Sequence, residues 1–343
     1  MTIKACFTSK YQIKYFIYFI DFFRLSDTND VLKTLWIKPC HHRFKSNFVK
    51  SVQSTLLIVC TCLLMQARAQ ETDQHLSIGV YGGLINYQGD LNTSKFSLQQ
   101  ANASYGIFFR KPVNQWLAIR AGFLTGTLEA ADANNRADLR PRNLQFTSTV
   151  QEFYSAAEIP FFNIEERHFT PYVYGGIALF HFNPWAPDNN GKKTYLQPLS
   201  TEGQGLAAYP SKKPYSLTQL ALPFGAGIRF AVAEQFHVSI DFSQRKTFTD
   251  YMDDVSGDYA DKDLLFQAKG QKAVEMAYRG GQSSLGQPLY PAAGDQRGSP
   301  SRMDWYYYLG INLEYKLNGN RLFSTRSQRK ALSGLRCPGS TLY

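Results

Sequence analysis

The segment WYYYLGINLEYKL, from Trp305 to Leu317, is the clearest indication of the fold, because apolar residues recur at every second position over its whole length. Aromatic and aliphatic residues occupy every odd position, while Gly, Asn, Glu and Lys stand among the even positions. Strict alternation is typical of a β-strand whose two faces meet different environments. The segments Leu217 to Phe230 and Phe236 to Arg245 repeat the pattern. We therefore expect a sheet of long strands.

The same pattern, followed along the chain, predicts eight strands, each long enough to cross a bilayer at a tilt, which takes about 9 to 11 residues. They are residues 75–90, 103–113, 116–130, 144–162, 170–185, 215–232, 236–250 and 303–317. The connections alternate between short turns and long loops, and the last two long loops reach about 30 and 50 residues. This alternation is typical of a bacterial outer-membrane barrel, with tight periplasmic turns and both termini in the periplasm. The predicted fold is all-β: an eight-stranded antiparallel transmembrane outer-membrane β-barrel with long external loops carrying short helices.

The net charge of +10 on 343 residues does not indicate a nucleic-acid partner, because the charge lies at the ends of the chain. Residues 1–69 hold 10 Lys and Arg against 3 Asp and Glu, and residues 318–343 hold 5 against none. A phosphate-binding surface would lie in the folded body, where residues 70–317 carry 22 basic and 24 acidic residues. The five cysteines also lie outside this body, which excludes a disulfide framework within it.

The chain divides into four predicted regions. Residues 1–49 are expected to be a non-native or wrongly assigned N-terminal extension. Residues 50–69 contain an uncharged run, LLIVCTCLLM, followed by Ala67, Arg68 and Ala69, which is the pattern of a signal peptide cleaved after Ala69. Residues 70–317 form the barrel, and residues 318–343 form a basic, disordered C-terminal tail. The predicted location is the cell outer membrane of a Gram-negative bacterium.

A soluble eight-stranded barrel of the lipocalin kind is the alternative fold. Such a barrel has an apolar inward face around a ligand cavity and a polar outward face. Here charged residues share the polar faces of the strands with glycines, and an eight-stranded barrel has little interior space beyond its own side chains. This favours the membrane barrel. The charged residues concerned are Arg120, Arg229, Asp241, Arg245 and Glu314.

Several strings in the chain match a known family pattern. They are SIGVYGGLINYQGDL (Ser77 to Leu91), RAGFLTG (Arg120 to Gly126), PLSTEGQG (Pro198 to Gly205), PFGAGIR (Pro223 to Arg229), RKTFTDYMDDVSGD (Arg245 to Asp258) and DWYYYLG (Asp304 to Gly310). Together they resemble the DUF6089 outer-membrane β-barrel family of the Bacteroidota, which includes the PorG component of the type IX secretion system. The resemblance covers residues 75–317. It implies a non-enzymatic accessory barrel that lies in outer-membrane lipid and anchors the periplasmic ring proteins of that apparatus.

Two other function classes compete with this one. A general surface barrel or adhesin would bind an external partner through its loops. An outer-membrane lipid A deacylase would need a Ser nucleophile with a base within hydrogen-bond reach, and His237 and Ser239 stand two apart on one strand face. We expect that pair to belong to a polar lumen ladder, because His237 follows a periplasmic turn while lipid A lies in the outer leaflet.

Three further features have structural explanations that we prefer. The Asp-rich loop after strand seven has no calcium-loop spacing, so we expect a solvated loop whose Asp residues serve turns and helix caps.

The inward charges are expected to pair and plug the lumen, although they could also line a conduit. The two longest external loops, about 186–214 and 251–302, are rich in apolar residues and are expected to fold over the barrel mouth as a cap. We assign no catalytic, cofactor-binding or metal residue and expect no cofactor. The Asp residues of the loop are Asp250, Asp253, Asp254, Asp258, Asp261 and Asp263.

Overall fold

The structure, a computed structural model, describes residues 75–94, 98–283 and 289–317. The predicted extension, the signal peptide with its cleavage site, and the C-terminal tail lie outside the described residues. The described residues form ten strands: β1 (Ser77–Gln88), β2 (Asn102–Asn114), β3 (Leu117–Ala131), β4 (Gln145–Pro160), β5 (Phe169–His181), β6 (Trp185–Pro187), β7 (Lys193–Tyr195), β8 (Thr218–Ala231), β9 (Phe236–Thr247) and β10 (Trp305–Lys316).

Eight of these strands close into an antiparallel barrel. The order is β3-β2-β1-β10-β9-β8-β5-β4, and β4 pairs back with β3 to close the ring. The first and last strands pair over their full length, from Ser77 opposite Lys316 to Gln88 opposite Trp305. Closure leaves no free sheet edge, so the backbone groups of the barrel are satisfied between neighbouring strands, as a lipid environment requires. The eight predicted strands are confirmed, with ends that shift by a few residues.

The two ends of the barrel differ as the loop lengths predicted. At the short-turn end, β2 joins β3 through Gln115 and Trp116, β8 joins β9 through residues 232–235, and β4 joins β5 through a turn that contains helix α1 (Ile164–Arg167). The long-loop end carries α2 (Lys262–Lys269) and α3 (Gln271–Ala277), as well as four 3-10 turns, Asp132–Asn134, Arg140–Arg142, Gln197–Leu199 and Gly280–Gln282. Gly270 separates the two helices, and its φ of +80° favours glycine. Among the described residues, no helix is both long and apolar enough to span a membrane.

The outward face of the barrel is apolar and the inward face is polar. In β10, Ile311 and Leu313 are each 55% exposed, whereas Asn312 is fully buried and Glu314 is 2% exposed. A soluble barrel of the lipocalin kind would show the opposite arrangement. Because such an aliphatic outer surface needs lipid around it, the chain is an eight-stranded antiparallel transmembrane β-barrel.

The tryptophans mark both ends of this barrel. Trp116 lies in the turn between β2 and β3 at the short-turn end, whereas Trp185 begins β6 and Trp305 begins β10 at the long-loop end. Transmembrane barrels carry aromatic girdles at both membrane interfaces. These three residues therefore lie at the two ends of the barrel, where aromatic girdles occur.

The strands β6 and β7 form a small hairpin that the sequence analysis did not predict. Trp185 pairs with Tyr195 within the hairpin and with Thr147 at the long-loop end of β4. Lys193 places its Nζ 4.7 Å from the Trp185 ring centroid and 4.9 Å from that of Tyr195. Strands of three residues are too short to show an alternating pattern, so the hairpin had no signal of its own in the sequence.

Candidate functional site

The lumen nearest the short-turn end is occupied by two arginines and two glutamates. Arg110 Nε lies 2.8 Å from Glu158 Oε1, and Arg110 Nη1 lies 3.2 Å from Glu314 Oε1. Arg229 approaches the same two carboxylates, at 2.9 Å from Glu158 Oε1 and 3.1 Å from Glu314 Oε2. Each carboxylate therefore bridges two guanidinium groups, which form a closed four-member ion network.

A second layer lies in the middle of the barrel around Arg120. Its Nη1 lies 2.7 Å from Asp241 Oδ2, and its Nε donates to the Tyr154 hydroxyl at 3.0 Å. The guanidinium carbon also lies 4.3 Å from the centroid of the Phe108 ring, a cation–π distance. The Tyr172 hydroxyl donates to the other oxygen of Asp241. The pair is thus enclosed by aromatic side chains.

A third layer lies nearer the long-loop end. Arg245 Nε lies 3.1 Å from Glu152 Oε2, and the Tyr306 hydroxyl donates to the same carboxylate at 2.5 Å. Arg245 also donates to the Ser243 hydroxyl. Because Glu152 and Tyr306 are both fully buried, this layer closes the lumen below the loops.

The inward charges plug the lumen. Four arginines meet four carboxylates in these layers, and all eight residues are buried. Buried charges are tolerated when they are paired and hydrogen-bonded in this way. Three of these residues, Arg110, Glu152 and Glu158, were not identified from the sequence. They stand at the alternate positions of β2 and β4 whose side chains are buried in the lumen, so the alternating pattern could have identified them.

The His237 and Ser239 pair is not arranged as a nucleophile and its base. Ser239 Oγ accepts a hydrogen bond from Asn312 Nδ2 at 2.9 Å. His237 Nδ1 instead points toward Glu314, whose Oε1 lies 4.0 Å away. Both residues are buried, so they belong to the lumen ladder, as expected.

The short-turn end holds two cavities. One has a volume of about 520 Å³ and is bordered by α1, by the turn between β8 and β9, and by His237 and Lys316. A smaller one of about 110 Å³ lies beside Arg110 and Asn114. These cavities lie at the mouth of the barrel, and Arg110 of the first ion layer borders the smaller one.

The long-loop end is covered by a packed cap, formed by residues 182–217, 248–283 and 289–304. Its own apolar cluster consists of Leu206, Leu265, Ala273, Val274 and Ala277, with Leu199, Tyr209 and Tyr290 packed against them. Asp261 caps the N-terminus of helix α2, because its side chain accepts from the backbone N–H groups of Asp263 and Leu264. The predicted cap and the predicted role of an Asp as a helix cap are confirmed.

The strings TEGQG and DDVSG are joined inside this cap through Glu202. Its Oε1 accepts from Ser256 N at 2.9 Å and pairs with Arg297 Nη1 at 2.9 Å. Its Oε2 accepts from Gly257 N at 3.0 Å. Gly203, with φ of +84°, makes the turn that directs the Glu202 side chain into the DDVSG turn. Arg297 therefore holds the two strings together from a third segment of the chain.

The Asp-rich loop is not solvated throughout, contrary to expectation. Asp250, Asp253 and Asp254 are each at most 4% exposed, because the loop folds inward onto the barrel rim. Burial raises the pKa of Asp254 to about 6 against the opposing effect of Arg297. Burial, followed by the charge of Asp253, raises the pKa of Asp250 to about 9. Among the described residues, no group of three or more His, Cys, Asp or Glu side chains is arranged to hold a metal ion.

Comparisons with known proteins give a family and several similar structures. The model of the family described as "Domain of unknown function (DUF6089)" matches residues 51–267. A search of curated proteins found no match.

The solved structures similar to this chain include three bacterial proteins. Neisserial surface protein A is 8% identical with a TM-score of 0.35, over 71% of this chain and 97% of that one. Ail of Yersinia pestis is 8% identical with a TM-score of 0.30, over 71% and 99%. A major outer membrane protein from Thermus thermophilus is 10% identical with a TM-score of 0.33, over 72% and 100%.

Proposed function

This chain belongs to the DUF6089 family, and we propose that it is a non-enzymatic outer-membrane barrel of a Gram-negative Bacteroidota bacterium. There it serves as an accessory component of the type IX secretion apparatus. In this role it anchors the periplasmic ring proteins to the membrane through its short-turn end. The signal peptide that would direct export, with cleavage after Ala69, is part of the same proposal.

The observation that carries the proposal is the plugged lumen. A conduit needs water-filled space, whereas here the inward face is occupied by paired charges and tyrosines in successive layers. A closed barrel contributes a rigid membrane anchor and two surfaces, one at each end. The strings that resemble the DUF6089 family, which includes the PorG component, add support. Two of these strings meet in the cap, where Glu202 and Asp254 both pair with Arg297.

A surface barrel or adhesin is the second candidate, favoured by the outer surface of the cap. Leu264 is 40% exposed, Phe266 is 51% exposed and Leu289 is 79% exposed. Exposed apolar residues on an ordered cap are suited to binding an external partner. A deacylase activity has no such support, because Ser239 accepts from Asn312 and His237 Nδ1 points toward Glu314.

Gene deletion separates these classes. Loss of export of type IX cargo supports the anchoring role, altered lipid A acylation supports an enzyme, and a defect only in attachment or uptake supports an adhesin. Complementation then locates the surface that matters. Glu166→Lys with Glu234→Lys alters exposed positions at the short-turn end, and Phe266→Asp with Leu289→Asp alters the cap.

The anchoring role predicts that the short-turn variant abolishes export while the barrel still assembles, and that the cap variant exports normally. The opposite result would transfer the function to the cap. Barrel assembly is checked for both variants by heat-modifiable migration on a detergent gel.

A further inference from the structure

The root of the cap contains a hydroxyl placed between two buried carboxyl groups. Tyr87, at the end of β1, has its Oη 2.6 Å from Asp253 Oδ2 and 2.6 Å from Asp304 Oδ1. Asp253 lies in the loop after β9 and Asp304 immediately precedes β10. All three side chains are at most 1% exposed. The contact therefore joins the barrel wall to both roots of the longest loop.

The hydrogen atoms available here are one too few if both carboxyl groups are ionised. A tyrosine hydroxyl has one hydrogen and can donate to one acceptor. Its oxygen also accepts from Asp90 N at 3.1 Å. The second carboxylate oxygen would then face a lone pair of Tyr87 at 2.6 Å, which is repulsive unless a further proton lies between them. Distances of about 2.5 to 2.7 Å are those of charge-assisted O–H···O hydrogen bonds.

The surrounding backbone distinguishes the two carboxyl groups. Asp253 Oδ2 also accepts from Leu91 N at 3.2 Å, and Asp253 Oδ1 accepts from Val255 N at 2.9 Å. Asp304 Oδ2 accepts from Met252 N at 2.8 Å. Tyr87 is the sole hydrogen-bonding neighbour of Asp304 Oδ1 among the described residues. Asp253 thus has the contacts of an anion, and Asp304 Oδ1 is the position that can donate.

We propose that Asp304 carries a proton that it donates to Tyr87, which in turn donates to Asp253, and that this proton latches the cap onto the barrel. Loss of the proton places a second buried negative charge beside Asp253. The cap root then opens, because the two carboxylates repel each other across Tyr87. The cap is therefore closed at acidic and neutral pH and opens on the alkaline side. This inference is independent of the proposed secretion role.

Charged groups from all four external loops face this latch. Asp90 comes from the first loop, Arg142 from the second and Asp250 from the last, while Glu202 of the third loop acts on Asp90. Two arginines act there as well: Arg142, whose Nη2 lies 2.7 Å from Asp132 Oδ1, and Arg302 of the last loop, which acts on Asp90. The carboxylates outnumber the cations around the pair.

Burial and the neighbouring charge together set the direction of titration. Burial, and then the charge of Asp304, raises the pKa of Asp253 well above its usual range. Burial, and then the charge of Asp250, raises the pKa of Asp304 well above its usual range. A carboxyl group whose pKa is raised in the folded state contributes stability at low pH and loses that contribution as pH rises.

The first test is an infrared spectrum of the full-length protein in lipid vesicles at neutral pH. A buried carboxylic acid band is expected in the wild type. Asp304→Asn should remove the part of this band that belongs to Asp304, while the part that belongs to Asp250, whose pKa is raised to about 9, remains. Asp263→Asn, an exposed change on α2, should keep the whole band. Absence of the band from the wild type, or an Asp304→Asn spectrum identical to that of the wild type, overturns the proposal.

The second test follows hydrogen-exchange protection of residues 250–256 as pH is raised. Loss of a single proton predicts that the wild-type protection factor falls about tenfold per pH unit above the midpoint. Asp304→Asn should remain protected, because its amide can donate to Tyr87 permanently, and Asp263→Asn should follow the wild type. An Asp304→Asn variant unprotected at neutral pH would contradict the latch. Protection that requires Ca²⁺ or Mg²⁺ and is lost with a chelator would likewise overturn it, since a cation would then occupy the place of the proton.

Discussion

Removal of one charge from the middle layer of the lumen tests whether the barrel is plugged. Asp241→Asn keeps the shape of the side chain but leaves Arg120, which is 3% exposed, without its carboxylate. Removal of one partner of a buried ion pair costs about 3 to 5 kcal/mol, because a buried charge stays uncompensated. The free energy of unfolding should therefore fall by about that amount.

The double variant Arg120→Met with Asp241→Asn is the matched comparison. It removes both charges and places an apolar chain against Phe108, where the guanidinium packs now. Removal of both charges leaves no uncompensated buried charge, and the asparagine side chain that replaces Asp241 can still accept from the Tyr172 hydroxyl. The double variant should thus unfold within about 1 kcal/mol of the wild type, which gives a large coupling energy in the double-mutant cycle.

The free energies of unfolding are measured by denaturant titration of the protein in lipid vesicles. Unfolding is followed by tryptophan fluorescence and checked by the band shift on a detergent gel. If Asp241→Asn costs less than about 1 kcal/mol, then water solvates Arg120. The lumen would in that case be hydrated and the plug would be wrong.

Three further predictions concern the outer face and the cap. Ile311→Arg should lower the free energy of unfolding by about 2 to 4 kcal/mol, because this position faces lipid in the middle of β10, whereas Val232→Arg at the short-turn end should cost about 0 to 1 kcal/mol. Equal costs for these two variants would argue against a lipid-facing position for Ile311. Leu265→Ala removes a fully buried side chain of the cap core and should destabilise the cap by about 2 to 5 kcal/mol. Protease added to intact cells should therefore cleave residues 264–279 faster in this variant than in the wild type or in the exposed control Leu264→Ala. Unchanged resistance to the protease would count against a packed cap. Burial raises the pKa of Asp254 to about 6, so its contribution to cap stability is fully present below its usual pKa of about 4 and is lost as pH rises through 6. Asp254→Asn should therefore flatten the fall in hydrogen-exchange protection between about pH 4 and pH 6. An unaltered pH profile would show that Asp254 is not the group that titrates.

The barrel could be predicted from the sequence because its signal is local. In β10 the alternation itself separates Leu309 and Ile311, which face outward, from Gly310 and Asn312, which face the lumen. The same parity extends to every long strand, so the number of strands, their approximate ends and the polar lumen all follow from pattern alone. The turn lengths then order the strands around the ring.

The pairing inside the lumen and the burial in the cap could not be read from the sequence in the same way. Arg120 and Asp241 are 121 residues apart in the chain and meet only because the barrel brings β3 opposite β9. The solvated loop expected around Asp253 was wrong for a similar reason. Its contacts with Tyr87 and Leu91 depend on the packing of distant loops, which leaves no periodic pattern.

Spin labels placed one at a time from Leu309 to Leu313 on β10, in vesicles, show directly which face of the strand meets lipid. If the odd-numbered residues face lipid, oxygen dissolved in the lipid reaches the labels at 309, 311 and 313 strongly and those at 310 and 312 weakly, with a period of two residues. The opposite phase would place the aliphatic residues inside and make the chain a soluble type of barrel. A period near 3.6 residues, or no period, would contradict the strand itself.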